Sequence, residues 1–205
     1  MKMANRLLSL LPIAFLTGPS LAVTPGQVVD NFKLPDQNGK SHELYRSSDK
    51  KAIVVMIQGN GCPIVRHAMA TLKEVRTKYQ PQGIEFLLLN SNLQDNRDSI
   101  AAEAKEFEYD IPILVDSAQA VGEALGVQRT SEVFVIDPRG WKLVYRGPLD
   151  DRVSYEKQRP KATNNYLIDA LDDVVAGRAV RVSKAEGVGC IVNFPDRAKR
   201  KASSR

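Results

Sequence analysis

The segment from residue 53 to residue 72 constrains the fold more than any other part of this chain. It opens with an apolar run, IVVMI, which predicts a buried strand, and it then breaks at a glycine-rich turn, GNG. Cys62 and Pro63 follow the turn, and helical spacing begins after them. Proline is favoured at the first helical position, where its missing N–H costs no hydrogen bond. The segment therefore predicts a strand, a tight turn and a helix over residues 63–79 that begins beside Cys62.

Cys62 is the candidate reactive group of this segment. The positive end of the helix dipole favours a thiolate over a thiol, and Arg66, one turn along, adds a positive charge. Such surroundings lower a cysteine pKa from about 8.5 towards 7 or below. The alternative is a buried, inert cysteine, which is a common state of this residue type. The flanking glycines favour exposure, so we predict a reactive and exposed thiol.

The N-terminus predicts export. Residues 1–6 are basic, residues 7–16 are apolar, and small residues stand at Ser20 and Ala22, the two positions that a signal peptidase reads. This segment is too short to span a membrane, and no later stretch is apolar enough to do so. We therefore predict a signal peptide over residues 1–22, no transmembrane segment and a periplasmic protein, in a compartment where cysteines can be oxidised.

The rest of the chain predicts one domain, over residues 23–194, followed by a basic tail over residues 195–205. The formal net charge is +5, and much of the basic excess lies in this tail, whose composition is typical of disorder. A nucleic-acid partner would be one explanation of such charge. Export argues against it, and we expect none.

Apolar periods and turn residues predict an alternation of strands and helices. The predicted strands cover residues 29–34, 41–44, 52–57, 84–89, 113–115, 133–136, 142–145 and 189–194. The predicted helices cover residues 63–79, 96–107, 121–125 and 163–176. Strands separated by helices pair in parallel, and the late hairpin adds an antiparallel edge. The fold class is therefore α/β, with a mixed central sheet flanked by helices, an N-terminal β-hairpin and a C-terminal helix and strand.

This order resembles the thioredoxin-like fold in its redoxin form, the group of AhpC/TSA peroxiredoxins and secreted TlpA-like thiol proteins. The resemblance covers residues 25–150 and is carried by GQVVDNFKL at 26–34, NGK at 38–40, the Cys62-Pro63 helix start and FVIDPRG at 134–140. It implies redox chemistry at Cys62. The chain contains no phosphate loop, no HExxH and no Gly-x-Ser-x-Gly, so we expect no cofactor and no resident metal.

The chain departs from the family's patterns at three positions. Val65 stands where thioredoxins and TlpA-like proteins have the second cysteine of Cys-x-x-Cys, and Gly59 stands where peroxiredoxins have a hydroxyl residue. Ser131 stands where peroxiredoxins have an arginine and TlpA-like proteins a cis-proline. We therefore expect weak peroxidase activity at best and a trans peptide at Ser131. We also expect Ser131→Pro to change substrate range more than stability.

Cys190 lies 128 residues after Cys62, in a glycine-rich segment. Three roles are open to it. It resolves an oxidised Cys62, within one chain or across a homodimer; it forms a static disulfide; or it is a small apolar residue of a C-terminal strand.

The candidate catalytic residues are accordingly Cys62, Cys190 and Arg66. Substrate-binding candidates lie in the turn, the helix start and the late loop: Gly59, Asn60, Gly61, Pro63, Arg129, Thr130 and Ser131. The predicted function is thiol–disulfide or peroxide chemistry with a thiol or disulfide protein, or a small hydroperoxide, and an external thiol reductant. The alternative is a non-enzymatic binder: a degenerate fold used for protein contact, or a copper carrier with ligands from Cys62, Cys190, His67 and Met56.

Overall fold

The computed structural model of the protein describes residues 22–153 and 159–195. Apart from their innermost residues, Ala22 and Pro195, the predicted signal peptide and the predicted basic tail lie outside these ranges. Within the ranges, no helix has both the length and the apolar character needed to cross a bilayer.

Seven strands and four α-helices make up the described part of the chain. The strands are β1 (Lys33–Pro35), β2 (Ser41–Glu43), β3 (Ala52–Gln58), β4 (Ile84–Asn90), β5 (Ile113–Val115), β6 (Val133–Asp137) and β7 (Lys142–Gly147). The helices are α1 (Pro63–Tyr79), α2 (Arg97–Glu106), α3 (Ala120–Leu125) and α4 (Tyr166–Val175). Short 3-10 turns occupy Leu44–Ser47 and Gln80–Gln82.

The central sheet is mixed and has the order β5-β4-β3-β6-β7. Strands β3, β4 and β5 run parallel, whereas β6 pairs antiparallel with β3 and β7 antiparallel with β6. β1 and β2 form a separate two-stranded sheet. The predicted α/β architecture, with its N-terminal hairpin and its late antiparallel pair, is confirmed.

β3 lies at the centre of the sheet, and all seven of its residues are buried. Alternate side chains along it enter two apolar clusters, one on each face, which explains why its sequence is apolar throughout. β3 and β4 end in register, with Gln58 opposite Asn90. Open α/β sheets place their sites at this carboxyl end, and the turn to α1 begins here.

The C-terminal strand that we predicted over residues 189–194 is absent. Within the described chain this segment forms one isolated antiparallel bridge, Arg129 with Ile191, rather than a ladder. The ladder is interrupted because the backbone of Cys190 pairs partly with the side chain of Thr130. We call residues 183–194 the C-terminal strap, because they run over the loop that precedes β6.

Candidate functional site

Cys62 is the N-cap residue of α1, and Pro63 occupies the first turn of the helix, as predicted. The carbonyl of Cys62 accepts the N–H of Arg66 at 3.2 Å, so the first helical hydrogen bond closes around the cysteine. Its sulfur therefore lies at the positive end of a helix of 17 residues.

Two carboxylates, half-buried Asp95 and buried Glu103, hold the turn before Cys62. The N–H of Asn60 donates to Asp95 at 3.0 Å, and the N–H of Gly61 donates to Glu103 at 2.8 Å. Gly61 has φ +71°, a conformation that glycine adopts without steric cost. These two roles of Asp95 and Glu103 were not predicted from the sequence, because nothing in their local pattern distinguishes them from other acidic residues near a helix start.

The two cysteines meet although 128 residues separate them. Their sulfur atoms lie 2.6 Å apart, and both are free thiols. A disulfide has an S–S distance of about 2.05 Å, so a small displacement would bring the two sulfurs to bonding distance. Cys190 is exposed, which excludes the alternative of an apolar residue packed in a strand.

Thr130 connects the two thiols. Its hydroxyl oxygen lies 3.1 Å from the sulfur of Cys62 and accepts the backbone N–H of Cys190 at 2.9 Å. The N–H of Thr130 in turn donates to the carbonyl of Cys190 at 2.9 Å. Because the hydroxyl oxygen already accepts a hydrogen bond from the strap, its own O–H is available to donate to the sulfur of Cys62.

Neighbouring residues fix the strap on this loop. The hydroxyl of Ser131 donates to Val188 at 2.9 Å, and Arg129 donates to the carbonyl of Gly189 at 3.3 Å. A Cβ atom at Gly189 would overlap the carbonyl oxygen of Thr130, so only glycine permits this close approach. The strap therefore lies on the loop through both backbone and side-chain contacts.

Ser131 has a trans peptide bond, as do all residues of the ranges 22–153 and 159–195. The trans geometry that we predicted there is confirmed. Its φ of +59° is unusual for a residue with a side chain. Its N–H, which proline would lack, donates to the carbonyl of Ile57 at 2.7 Å and extends the pairing of this loop with β3.

The predicted exposure of Cys62 is wrong. Only 3% of the residue is accessible, whereas Cys190 is exposed. Gly61 in the turn is exposed, as expected, but the strap and Thr130 cover the sulfur of Cys62. The residues that cover Cys62 are distant in the chain, so the sequence around Cys62 does not predict its burial.

The pKa values of the two thiols move in opposite directions. Burial raises the pKa of Cys62, but hydrogen bonds from Cys190, from Thr130 and from backbone N–H groups outweigh burial and lower it. Burial and the neighbouring Cys62 sulfur raise the pKa of Cys190. Cys62 is therefore the more acidic thiol of the pair. The guanidinium of Arg66 lies 3.9 Å from the centre of the Phe107 ring and 3.7 Å from Glu103, and its role at the thiol stays a prediction.

Gly59 is a glycine for a steric reason. A Cβ atom there would lie 2.8 Å from the Thr130 methyl group and 2.6 Å from the Asn92 amide. No hydroxyl residue fits at this position without displacing them. The hydroxyl that contacts Cys62 comes instead from Thr130, 68 residues further along the chain.

The proposed copper ligands are not brought together as a set. His67 is exposed on α1, and Met56 is fully buried in β3. No group of three or more histidine, cysteine and acidic side chains within residues 22–153 and 159–195 has an arrangement that could hold a metal ion.

The model of the Redoxin family matches residues 24–165, which is more than half of the sequence. The chain belongs to the Redoxin family. This redoxin is 30% identical over 121 residues to the thiol-disulfide oxidoreductase ResA of Geobacillus thermodenitrificans, covering 58% of this chain and 67% of that protein. Its sequence is thus similar to that of a thiol-disulfide oxidoreductase.

Solved structures agree on the fold of this redoxin. A hypothetical protein of Sinorhizobium meliloti matches with a TM-score of 0.75 and 29% identity, over 85% of this chain and 97% of the other. The thioredoxin domain of a thiol-disulfide oxidoreductase from Bacteroides vulgatus matches with a TM-score of 0.54 and 17% identity, over 61% and 89%. The second likeness concerns the fold alone and places the redoxin in the thioredoxin-like class.

Proposed function

We propose that this redoxin is an exported thiol–disulfide oxidoreductase whose Cys62 and Cys190 alternate between two thiols and one internal disulfide. The observation that carries the proposal is the approach of the two sulfurs to 2.6 Å. Disulfide formation between them removes two electrons and two protons, which an external disulfide accepts as it is reduced to two thiols. The two electrons are stored in the S–S bond, so the exchange requires no cofactor.

The surrounding residues have separate roles in this proposal. The turn Gly59–Asn60–Gly61 and Pro63 place Cys62 at the start of α1. Thr130 stabilises the thiolate, and Arg129 and Ser131 hold the strap that carries Cys190. Because the partner sulfur comes from the same chain, resolution of an oxidised Cys62 needs no second subunit.

The external partners in this proposal are thiols or disulfides, on a protein or on a small molecule. Cys190 is the sulfur that such a partner can reach, since it is exposed and its neighbour Ile191 is 75% exposed. Export to the periplasm rests on the signal-peptide pattern of residues 1–22, and an oxidising compartment suits a dithiol that must be oxidised again after use.

A redox titration tests the proposal. The purified protein is equilibrated in glutathione buffers of graded potential, quenched with acid, alkylated and analysed by mass spectrometry. We expect one reversible transition to a monomeric species that lacks two hydrogen atoms, and we expect Cys62→Ser and Cys190→Ser each to abolish it. If no internal disulfide forms at any potential while the fold stays intact, the proposal is wrong.

A further inference from the structure

We propose that incoming thiols attack the Cys62–Cys190 disulfide at Cys190, and that Cys62, at the helix N-terminus, is the sulfur that leaves. This inference rests on the proposed function, because it requires the internal disulfide. It reverses the roles that the sequence suggests, in which the cysteine at the helix start meets the partner first and the distant cysteine resolves the product.

Access to the two sulfurs differs. Thiol–disulfide exchange places the attacking sulfur, the attacked sulfur and the leaving sulfur close to a line, so attack comes from the side opposite the leaving group. For Cys190 that side is solvent, since the residue is exposed. For Cys62 it is the interior, where the residue is 3% accessible and belongs to the same apolar cluster as Val65 and Met69.

The quality of the leaving group points the same way. A sulfur with a lower pKa leaves faster. The Thr130 hydroxyl at 3.1 Å and the start of α1 stabilise negative charge on Cys62, whereas the surroundings of Cys190 raise its pKa. Attack at Cys190 therefore expels the better leaving group, and attack at Cys62 would expel the poorer one.

The reaction then has two balanced steps. A partner thiolate forms a bond to the sulfur of Cys190, the Cys62–Cys190 bond breaks, and Cys62 departs with the electron pair as a thiolate. A second thiolate of the partner attacks the partner's own sulfur in this mixed disulfide, and Cys190 departs and takes a proton. The partner dithiol is oxidised to a disulfide, the redoxin is reduced to its dithiol, and an external disulfide such as oxidised glutathione restores the oxidised form.

The substrate class that follows is a dithiol that meets an exposed cysteine. Cys190 and Ile191 are both exposed, while Val192 beside them is buried. A partner can therefore reach Cys190 without any displacement of the strap from Thr130, whereas reaching Cys62 would require the strap to be lifted.

Trapping the first intermediate tests the order of attack. The oxidised full chain is mixed with excess 2-mercaptoethanol, a monothiol that cannot complete the second step, and is quenched with acid after short times. Freed thiols are blocked with N-ethylmaleimide, and peptides are mapped by mass spectrometry. We expect mercaptoethanol on Cys190 and maleimide on Cys62 in at least ten-fold excess over the opposite pattern.

Two controls test whether the folded structure sets the ratio of adduct on Cys190 to adduct on Cys62. The same reaction in denaturant exposes both sulfurs, and we expect both adducts there. Ser131→Ala keeps both cysteines but removes the bond to Val188 that holds the strap, so we expect the share of adduct on Cys62 to rise.

An adduct mainly on Cys62, an even distribution in the folded protein, or a ratio unchanged by Ser131→Ala would overturn the inference. An internal disulfide that forms but is attacked at Cys62 would leave the proposed function standing, whereas absence of the disulfide would remove both.

Discussion

Thr130 is the residue through which the strap controls the thiol of Cys62. Its oxygen accepts the N–H of Cys190 at 2.9 Å, and this fixes the direction in which its own proton points. The side chain that stabilises the thiolate is therefore oriented by the segment that carries the other thiol. Displacement of the strap would leave the hydroxyl free to rotate, and the thiolate would lose part of its stabilisation.

Thr130→Val should raise the pKa of Cys62. A hydrogen bond to a charged group contributes about 1.5–3 kcal/mol, and its loss removes that stabilisation from the thiolate but not from the thiol, so the pKa rises. The folded protein lowers this pKa, so the thiolate is populated at lower pH in the wild type than in the variant. Ultraviolet absorbance of the thiolate against pH measures the difference. Thr130→Ser retains the hydroxyl and is the matched control; a valine variant that titrates like the serine variant would contradict this role.

Gly59 and the burial of Cys62 together predict slow peroxide chemistry. The pocket hydroxyl of peroxiredoxins has no place at Gly59, and the strap covers the sulfur that a peroxide would have to approach. We expect hydrogen peroxide to be consumed little faster by the wild type than by Cys62→Ser, in an assay with excess thiol reductant. Rapid turnover that disappears in Cys62→Ser would show instead that the strap opens readily to small oxidants.

At the scale of elements, the loop between α3 and β6 supports the strap, and Ser131 joins this loop to β3. Ser131 combines a positive φ with an N–H donated to Ile57, and proline provides neither. This changes our expectation for Ser131→Pro, since the cost in stability now outweighs any change in substrate range.

Ser131→Pro should lower the free energy of unfolding by about 3 kcal/mol or more, the usual cost where proline replaces a bonded N–H in an incompatible conformation. Urea unfolding of the reduced protein measures the effect. Ser131→Ala, which loses only the hydroxyl bond to Val188, should cost about 1 kcal/mol. If the proline variant is as stable as the alanine variant, the loop has another conformation available to it.

The elements were predictable to the extent that local pattern determines them. The apolar spacing and Pro63 predicted α1 with its observed bounds, Pro63–Tyr79, and the short apolar run after Pro112 predicted β5. The strap was not predictable, because its contacts with residues 128–131 are irregular and leave no apolar period. The burial of Cys62 was missed for the same reason, since the residues that cover it belong to the strap and its supporting loop.

At the scale of the whole molecule, the strap fastens the end of the described chain to the site. Beyond Cys190, Val192 and Phe194 are buried in the second apolar cluster, and Gln119 donates to the carbonyl of Asn193 at 2.7 Å. On the N-terminal side of Cys190, the carbonyl of Ser183 accepts the N–H of Arg146 at 2.9 Å. The two thiols are thus held together by contacts on both sides of Cys190, before any bond forms between them.

Oxidation should therefore stabilise the protein mainly through its effect on the unfolded chain. The bond joins residues 128 positions apart, and the chain-entropy model assigns a loop of this length about 5 kcal/mol. Little of this gain should be lost to native-state strain, because the sulfurs already lie side by side. Urea unfolding of the oxidised and the reduced protein measures the gain, and Cys190→Ser, treated in the same two ways, should show no difference.

The same thermodynamic cycle connects this stability to the chemistry. The free energy by which the disulfide stabilises the folded state equals the free energy by which folding favours formation of the disulfide. The folded protein must therefore form the bond more readily than the denatured protein does. The thiolate stabilisation of Cys62 acts in the opposite direction, because it favours the reduced form. Disulfide equilibria with glutathione, measured with and without denaturant, separate the two effects. Thr130→Val should shift the folded equilibrium towards the disulfide and leave the denatured one unchanged, and a shift of both by the same amount would refute the assignment of Thr130 to the thiolate.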